Sequence, residues 1–529
     1  MFRRLLVSHQ SVIGASMILS IGNLLTMALG YVFTLVIVWN FGATGSSDAY
    51  YLSMTACAFL TGILEGCLMG SMVPAFATQQ FQSLVAAERN RQWSSLLNLL
   101  LVITLFLAAV MLLWADTVIA FLGPTLDVTT RTTTARLTRL LVPTILLLPI
   151  ASFFAASLNS LNKFASRVIA NAISGLCSTG IAVGLVGHLG VYALGWAVSV
   201  GALVRVLVMG LAIHYSGFRY YPSARFRLRS SNAIGGLFVP ILLLSILLTV
   251  RETAVKSLAT MAGSGALTAF SLGIQLADLP LGIVVSTFGS AVLPTLSKLW
   301  SEHAKREFMN AVMAVLRTGL FLTIPAAIGI IILGGPIIQA VFQRGAFDSR
   351  AVHLTMLVVM FYAIGLPFRG ANDALGSALY ATRDAWRQVL FSGSGVVIAL
   401  GTGILLLPYF AGPGLAASLS LGNAVNCFFH LRFLHRRLDV RPDMQGVWFV
   451  LKAIGAALAM AAIVLLAYKL LVTVAGEVSG LRGVLALGIL ACMGAGVYLA
   501  MGRLVSLRES VVIRNAVLAR LAKKGEQGV

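Results

Sequence analysis

The sequence predicts an all-α polytopic membrane protein of about 14 transmembrane helices, on three observations. Hydrophobic residues make up 59% of the 529 positions and charged residues only 10%, against about 25% charged in an ordinary soluble protein. Apolar runs of spanning length, about 20 residues each, recur between short polar turns. Basic residues alternate in density from one turn to the next. A water-soluble fold is excluded, and with it the nucleic-acid partner that a net charge of +21 would otherwise suggest.

Taken in order, the runs predict helices near residues 14–40, 48–76, 93–115, 136–160, 166–187, 191–214, 234–258, 265–291, 308–333, 351–380, 387–409, 413–434, 446–472 and 481–504. The start MFRRLLVSHQ resembles a signal peptide. The apolar stretch behind it is too long for one and lacks a small-x-small cleavage site, so it is read as a retained first helix. The 51 glycines suit helices that pack backbone to backbone in lipid. The 14 prolines read as kinks and helix ends. Cys57, Cys67, Cys177, Cys427 and Cys492 are odd in number and scattered through apolar segments. They read as packing residues, with no disulfide framework and no metal site.

With the N-terminus in the cytoplasm, the inward segments hold 25 Lys and Arg and the outward loops 4, namely Arg131, Arg344, Arg350 and Arg482. That bias follows the positive-inside rule and puts both termini on the cytoplasmic side. The outward connections FGATGSSD, GHLG, AGSGA and FAGPG are short and almost uncharged. Function therefore has to lie between the helices.

Internal repetition divides the chain. Pro74 of SMVPAFAT and Pro294 of AVLPTLSK are 220 residues apart, and GVYALGWAVSVG at 190 recurs as GPGLAASLSLGN at 412. NSLNKFASR and GSALYATRD follow at a similar spacing. Parallel six-helix repeats are the arrangement these markers imply, with a substrate site at the repeat interface. The expected domains are an N-terminal lobe at 1–216, a basic cytoplasmic connector at 217–232, a C-terminal lobe at 233–436, helices 13 and 14 at 437–505, and a basic tail at 506–529. The connector's charge also favours anionic headgroups. In the tail, LRESVVIRNAVLARLAKK suits an amphipathic helix on the inner surface.

Charges inside the apolar runs mark candidate sites, because an ionised group at the bilayer centre costs roughly 2.5–3.5 kcal/mol on insertion scales. Glu252 and Lys256 are four apart on helix 7 and read as a self-neutralising pair, with Arg251 pointing about 100° away. Arg369 and Asp373 form a similar spacing on helix 10, as structure or as site. Gln275 and Asp278 share a face of helix 8 beside Pro280, where a local break can expose backbone groups. Glu65, in TGILEGCLMGS, has no cation near it in sequence. Asp48 in GSSDA reads as the N-cap of helix 2. Asn423, Asn426 and His430 line one face of helix 12 and read as interhelical glue; Arg205 and Arg317 are placed to snorkel to the inner surface.

No Walker A loop, HExxH, CxxC or GxSxG occurs. This points away from an enzyme, from a cofactor and from ATP-driven transport by this chain alone.

The run FGATGSSDAYYLSMTACAFLTGILEGCLMGSMVPAFA resembles the first signature of the MviN/MurJ family of lipid II flippases, through Phe41, Gly42, Ala43, Asp48, Ala49, Glu65, Gly66, Val73 and Pro74. A second stretch, GSGALTAFSLGIQLADLPLGIVVSTFGSAVLPTLSK, is similar to its helix 8 signature, through Pro280, Leu293, Pro294, Ser297 and Lys298. The resemblance implies two six-helix lobes around a cationic cavity, plus two C-terminal helices that form a groove for a lipid tail. It implies a flippase of the bacterial inner membrane that moves a polyprenyl-diphosphate-linked glycan by alternating access. The cargo is then lipid II or another cell-envelope or exopolysaccharide precursor. The family's cavity arginines fall here on about Met27, Phe33, Thr61 or Gly62, and Gln275. A diphosphate still needs cationic or donor groups. Arg251, Lys256 and Arg369, with Gln275, are the expected replacements. Glu65, Asp278, Asp373, Glu252 and Asp48 are the expected acidic partners, by pairing or by coupling a cation. The alternatives are a cation-coupled multidrug exporter and a membrane scaffold that does not transport.

Overall fold

The computed structural model describes residues 12–77, 83, 85–161, 163–221, 231–282, 295–382, 384–438, 444–475, 480–507 and 509, and all regular structure among them is helical. The helices are α1 (Val12–Phe41), α2 (Gly45–Ala77), α3 (Ala86–Leu122), α4 (Val128–Ser160), α5 (Ala165–Leu189), α6 (Tyr192–Tyr215) and α7 (Ser231–Thr260), continuing as α8 (Ala266–Ala277), α9 (Lys305–Phe342), α10 (Ser349–Ala363), α11 (Leu366–Ala381), α12 (Ala385–Leu438), α13 (Met444–Ala475) and α14 (Gly480–Leu504). Eleven are long and apolar enough to cross a membrane, and α10 with α11, bent by 44° at the break between them, are so when taken together. The 54-residue α12 is interrupted at Ala411, where φ is 50° and ψ −133°, and is long enough for two spans of about 20 residues each. With the shorter apolar helix α8 beside them, these spans are roughly consistent with the 14 expected. Residues 222–230 of the connector, Pro294 and the basic tail beyond Glu509 lie outside the described residues.

Helix boundaries follow local chemistry. Asp127 caps α4 by accepting the Thr130 N–H at 3.0 Å, and Gly190 ends α5 with φ at 55°. Prolines sit inside α4, α7, α9 and α12, tolerated in spanning helices because neighbours re-satisfy the freed carbonyls. At about 1.5 Å per residue the 37-residue α3 is longer than a hydrocarbon core of about 30 Å requires, and its helical geometry is interrupted at Trp114.

The chain forms two compact units. The first comprises residues 1–271, 344–351 and 385–415, and the second 272–343, 352–384 and 416–529. In the first, α2 packs against both α4 and α7. Its contact with α7 is a ridge of glycines one turn apart. A Cβ on Gly66 would lie 2.6 Å from Ser245 Oγ, and one on Gly70 2.8 Å from Ile241 Cγ2. Small residues let backbones approach where no hydrophobic drive exists between helices in lipid. Trp93 of α3 fills the space beside α4, stacking on Phe154 and donating to Ser157 Oγ at 2.9 Å. The start of the connector docks on this surface: Phe218 is buried against Trp93, and Tyr220 donates to Asn98 at 2.9 Å.

In the second unit, α9, α13 and α14 share an apolar core in which the Phe321 and Tyr498 rings lie 4.8 Å apart. Arg437, near the end of α12, sits over Trp300 and Phe433 and forms an ion pair with Asp384.

Candidate functional site

Helix α8 ends at Ala277, and a turn at Asp278 precedes the helical residues 279–282. The break expected beside Pro280 therefore falls at the acidic residue itself. The Asp278 carboxylate accepts Nη1 of Arg369 at 2.8 Å on each oxygen and the Tyr362 hydroxyl at 3.1 Å. Arg369 also donates to the Tyr362 hydroxyl. Asp373, exposed one turn further along α11, stays within electrostatic reach of Arg369 without taking its guanidinium. The i, i+4 spacing is thus overridden by a carboxylate from another helix. The bend between α10 and α11 sets Tyr362 against Arg369, and the two side chains meet Asp278 together. Arg369 and Asp278 remain 39% and 29% exposed, so an incoming anion can compete for the guanidinium.

The first unit holds the other charged candidates. On α7, Lys256 donates to Glu252 at 2.7 Å, forming the i, i+4 pair, and Arg251 precedes Glu252 by one residue. Glu65 on α2 is hydrogen-bonded to the Ser152 side chain of α4 and interacts electrostatically with Arg205 of α6 and Arg167 of α5. The carboxylate that has no cation near it in sequence therefore faces two from other helices. Arg205 belongs to this group. Gln275 is half-buried on α8 in the second unit. Along α12 the His430 Nδ1–H donates to the Asn426 carbonyl at 3.0 Å, and Asn372 of α11 donates to the Asn423 carbonyl at 3.0 Å.

Asp48 corrects its reading as the N-cap of its own helix. It lies in the first turn of α2, which starts at Gly45, and its carboxylate instead receives the N–H groups of Gly265 and Thr268 at 2.6 and 2.8 Å. These are the N-cap and third-residue donors of α8. Gly265 is required there: its φ is +81°, and a Cβ would lie 2.1 Å from the Ala43 carbonyl oxygen.

Two cavities lie among the described residues. One, of about 460 Å³, lies in the second unit between α9, α13 and α14 and is almost wholly apolar, with Pro280, Pro325, Met460 and Gly494 on its walls. The other, of about 290 Å³, lies in the first unit and is lined by Arg205, Asn171, Ser174, Ser178, Thr26 and Phe33 among others. The sequence reading missed Ser152, Arg167, Asn171 and Tyr362. Arg167 and Asn171 are one turn apart on a helix rich in serine and glycine, a signal available but not used.

Spanning helices that hold ion pairs, one polar cavity and one apolar cavity among them are the build of a membrane transporter. The sequence model of the family described as lipid II flippase MurJ matches residues 37–481, and the chain belongs to that family. It is 25% identical over 389 residues to the probable lipid II flippase MurJ of Rhizobium tropici, covering 70% of this chain and 71% of that one. The lipid II flippase MurJ of Burkholderia cenocepacia is 22% identical over 462 residues, with 83% and 87% covered. Among solved structures, lipid II flippase MurJ in an inward closed conformation matches with a TM-score of 0.75 at 19% identity, over 95% of this chain and 100% of that one. An inward-facing multidrug resistance MATE transporter of the MOP superfamily matches at 0.68 and 13% identity, over 79% and 98%. At such identities these structures show the fold alone.

Proposed function

We propose that the chain carries a polyprenyl-diphosphate-linked oligosaccharide across the bacterial cytoplasmic membrane by alternating access, with both termini in the cytoplasm. Family membership over residues 37–481 supports this reading most directly. In it, Arg369 exchanges Asp278 for a substrate phosphate, and Arg251, Lys256 and Gln275 supply further donors. Asp278, Asp373, Glu252, Glu65 and Asp48 balance the cations when substrate is absent or couple a cation to the cycle. The apolar cavity at α9, α13 and α14 receives the polyprenyl tail. Moving that tail out of lipid gains no hydrophobic free energy, since lipid is as apolar as the cavity. The tail contacts therefore set position, and the charged contacts to the diphosphate set affinity.

Complementation tests the reading. Expressed in cells depleted of their own lipid II flippase, the chain restores growth if lipid II is its cargo. In cells lacking an exopolysaccharide flippase, it restores polymer export if the cargo is that precursor. Rescue of neither, with membrane insertion verified, refutes the proposal.

A further inference from the structure

The cavity of the first unit has a chemistry that the pairing scheme above does not use. Among the described residues its only charged wall residue is Arg205, on α6, and the remaining polar groups come mainly from one face of α5: Asn171, Ser174 and Ser178. Arg205 Nε is shielded from solvent and has no hydrogen-bond partner among the described residues, and the same holds for Asn171 Oδ1. Leaving a charged donor unpaired in such a place is costly. The local charge is also unbalanced. Among the described residues Glu65 is the one carboxylate that interacts with Arg205, and it is shared with Arg167. Two guanidiniums against one carboxylate leave a net charge of about +1. The volume, about 290 Å³, is at the lower end of the range for small-ligand pockets, roughly 300–1,000 Å³.

We infer that this cavity is an anion subsite of the phosphate class, with Arg205 as the charged ligand and the Asn171 amide and Ser178 hydroxyl as neutral donors. If the flippase reading holds, the anion is one phosphate of the lipid diphosphate, received by α5 and α6. A free inorganic anion has the same chemistry. Either ligand would satisfy the orphaned guanidinium donor through charge-assisted bonds, whose fork geometry suits phosphate oxygens. Helix 1 carries no arginine here, and Phe33 lines this same cavity. The cation is thus supplied from α6.

The test uses the full chain in lipid nanodiscs, with inorganic pyrophosphate and farnesyl diphosphate as probes and binding read by calorimetry. Arg205→Gln is expected to weaken both probes by at least about tenfold. Asn171→Asp is expected to abolish binding by placing a carboxylate in the cavity. Glu65→Gln, which raises the local charge, is expected to tighten it. Lys469→Gln on the exposed face of α13 controls for simple charge loss. Opposite shifts from Asn171→Asp and Glu65→Gln are an outcome that misfolding cannot imitate, and thermal unfolding of each variant monitors the fold. Binding of pyrophosphate alone, still dependent on Arg205, keeps the anion site and overturns the lipid source. Unchanged affinity in Arg205→Gln, or no binding of either probe to the unsubstituted protein, overturns the inference. Complementation is read separately. Growth rescue with Arg205-independent binding leaves the flippase reading standing, whereas Arg205-dependent binding without rescue leaves only the anion site.

Discussion

Asp48 holds Thr268 by two bonds at once, its Oδ1 accepting the backbone N–H at 2.8 Å and the hydroxyl at 2.6 Å. The other oxygen takes the Gly265 N–H at 2.6 Å. One carboxylate thereby does for α8 what the two side chains of a capping box do together, at the end of the helix where the dipole favours negative charge. Asp48→Ala is expected to destabilise the folded protein by about 3 kcal/mol, because hydrogen bonds to a charged group are worth about 1.5–3 kcal/mol each. Thr268→Val, which keeps the backbone donor, should cost about 1 kcal/mol. The two effects are coupled, so Thr268→Val should cost less in the Asp48→Ala background, where the Thr268 hydroxyl keeps its bond with the Ser47 hydroxyl at 3.0 Å. Thermal unfolding of the four proteins measures this. An equal cost in both backgrounds would refute the shared contact.

Asp48 and Thr268 are 220 residues apart, the offset at which Pro74 and Pro294 recur. A backbone detail recurs at nearly the same offset. Lys163 N–H bonds to the Leu158 carbonyl, and Asp384 N–H to the Leu379 carbonyl, 221 positions later and at the same 3.0 Å. The recurring turns were legible because backbone demands there restrict the residues allowed. The spans were legible because apolar length alone defines them. Pair partners were not. Spacing rules see one helix at a time, so Arg369 pointed to Asp373, and Glu65 pointed to nothing. The true partners, Asp278 for the first and Arg205 with Arg167 for the second, are set by which helices pack together. Asp48 misled for a related reason: an acidic residue near a helix start has the same composition whether it caps that helix or a neighbour.

The repeat contains one unequal pair. Gly190 joins α5 to α6 at φ 55° and ψ −136°, and Ala411 makes the corresponding bend in α12 at φ 50° and ψ −133°. This region of backbone space is open to glycine and costs other residues of order 1–3 kcal/mol. Ala411→Gly is therefore expected to stabilise the protein by about 1 kcal/mol, after allowing for the greater unfolded-state entropy of glycine. Gly190→Ala should destabilise it by at least as much, although no atom lies within 4 Å of the added methyl. Opposite shifts in unfolding temperature are the expected result, and a stabilising Gly190→Ala would contradict the account.

Asp127 supplies a pH dependence in the loop before α4. Its carboxylate accepts the Thr129 hydroxyl and the Thr130 N–H, and these bonds hold its pKa at about 2 instead of 3.8. A group whose folded pKa is depressed stabilises the fold above its unfolded pKa and loses that contribution as pH falls through the folded value. The contribution of Asp127 is therefore full above about pH 4 and fades toward about pH 2. Because the side chain is exposed, Asp127→Ala should cost about 1 kcal/mol or less at neutral pH. The gap in unfolding temperature between this variant and the unsubstituted protein should close between pH 5 and pH 2. A gap that stays constant over that range would show that the ionised cap is not its source.

Exchange of Asp278 for a substrate phosphate makes Arg369 separable from its role in holding the fold. The pair is partly exposed, at 39% and 29%, so breaking it should cost less than the 3–5 kcal/mol of a fully buried one, about 1–2 kcal/mol. Arg369→Gln is expected to lose that stability and to abolish complementation. Asp278→Asn loses similar stability but leaves the guanidinium in place with Tyr362 and Asp373 nearby. Partial complementation is therefore expected. The charge swap, Asp278→Arg with Arg369→Asp, decides between structure and binding. It restores the ion pair and with it most of the stability, yet it moves the cation from α11 to the turn after α8 and puts a carboxylate where phosphate is to be received. Stability should recover while transport does not. If the swap also restored growth, the pair would be a structural lock and the phosphate would have to be held elsewhere.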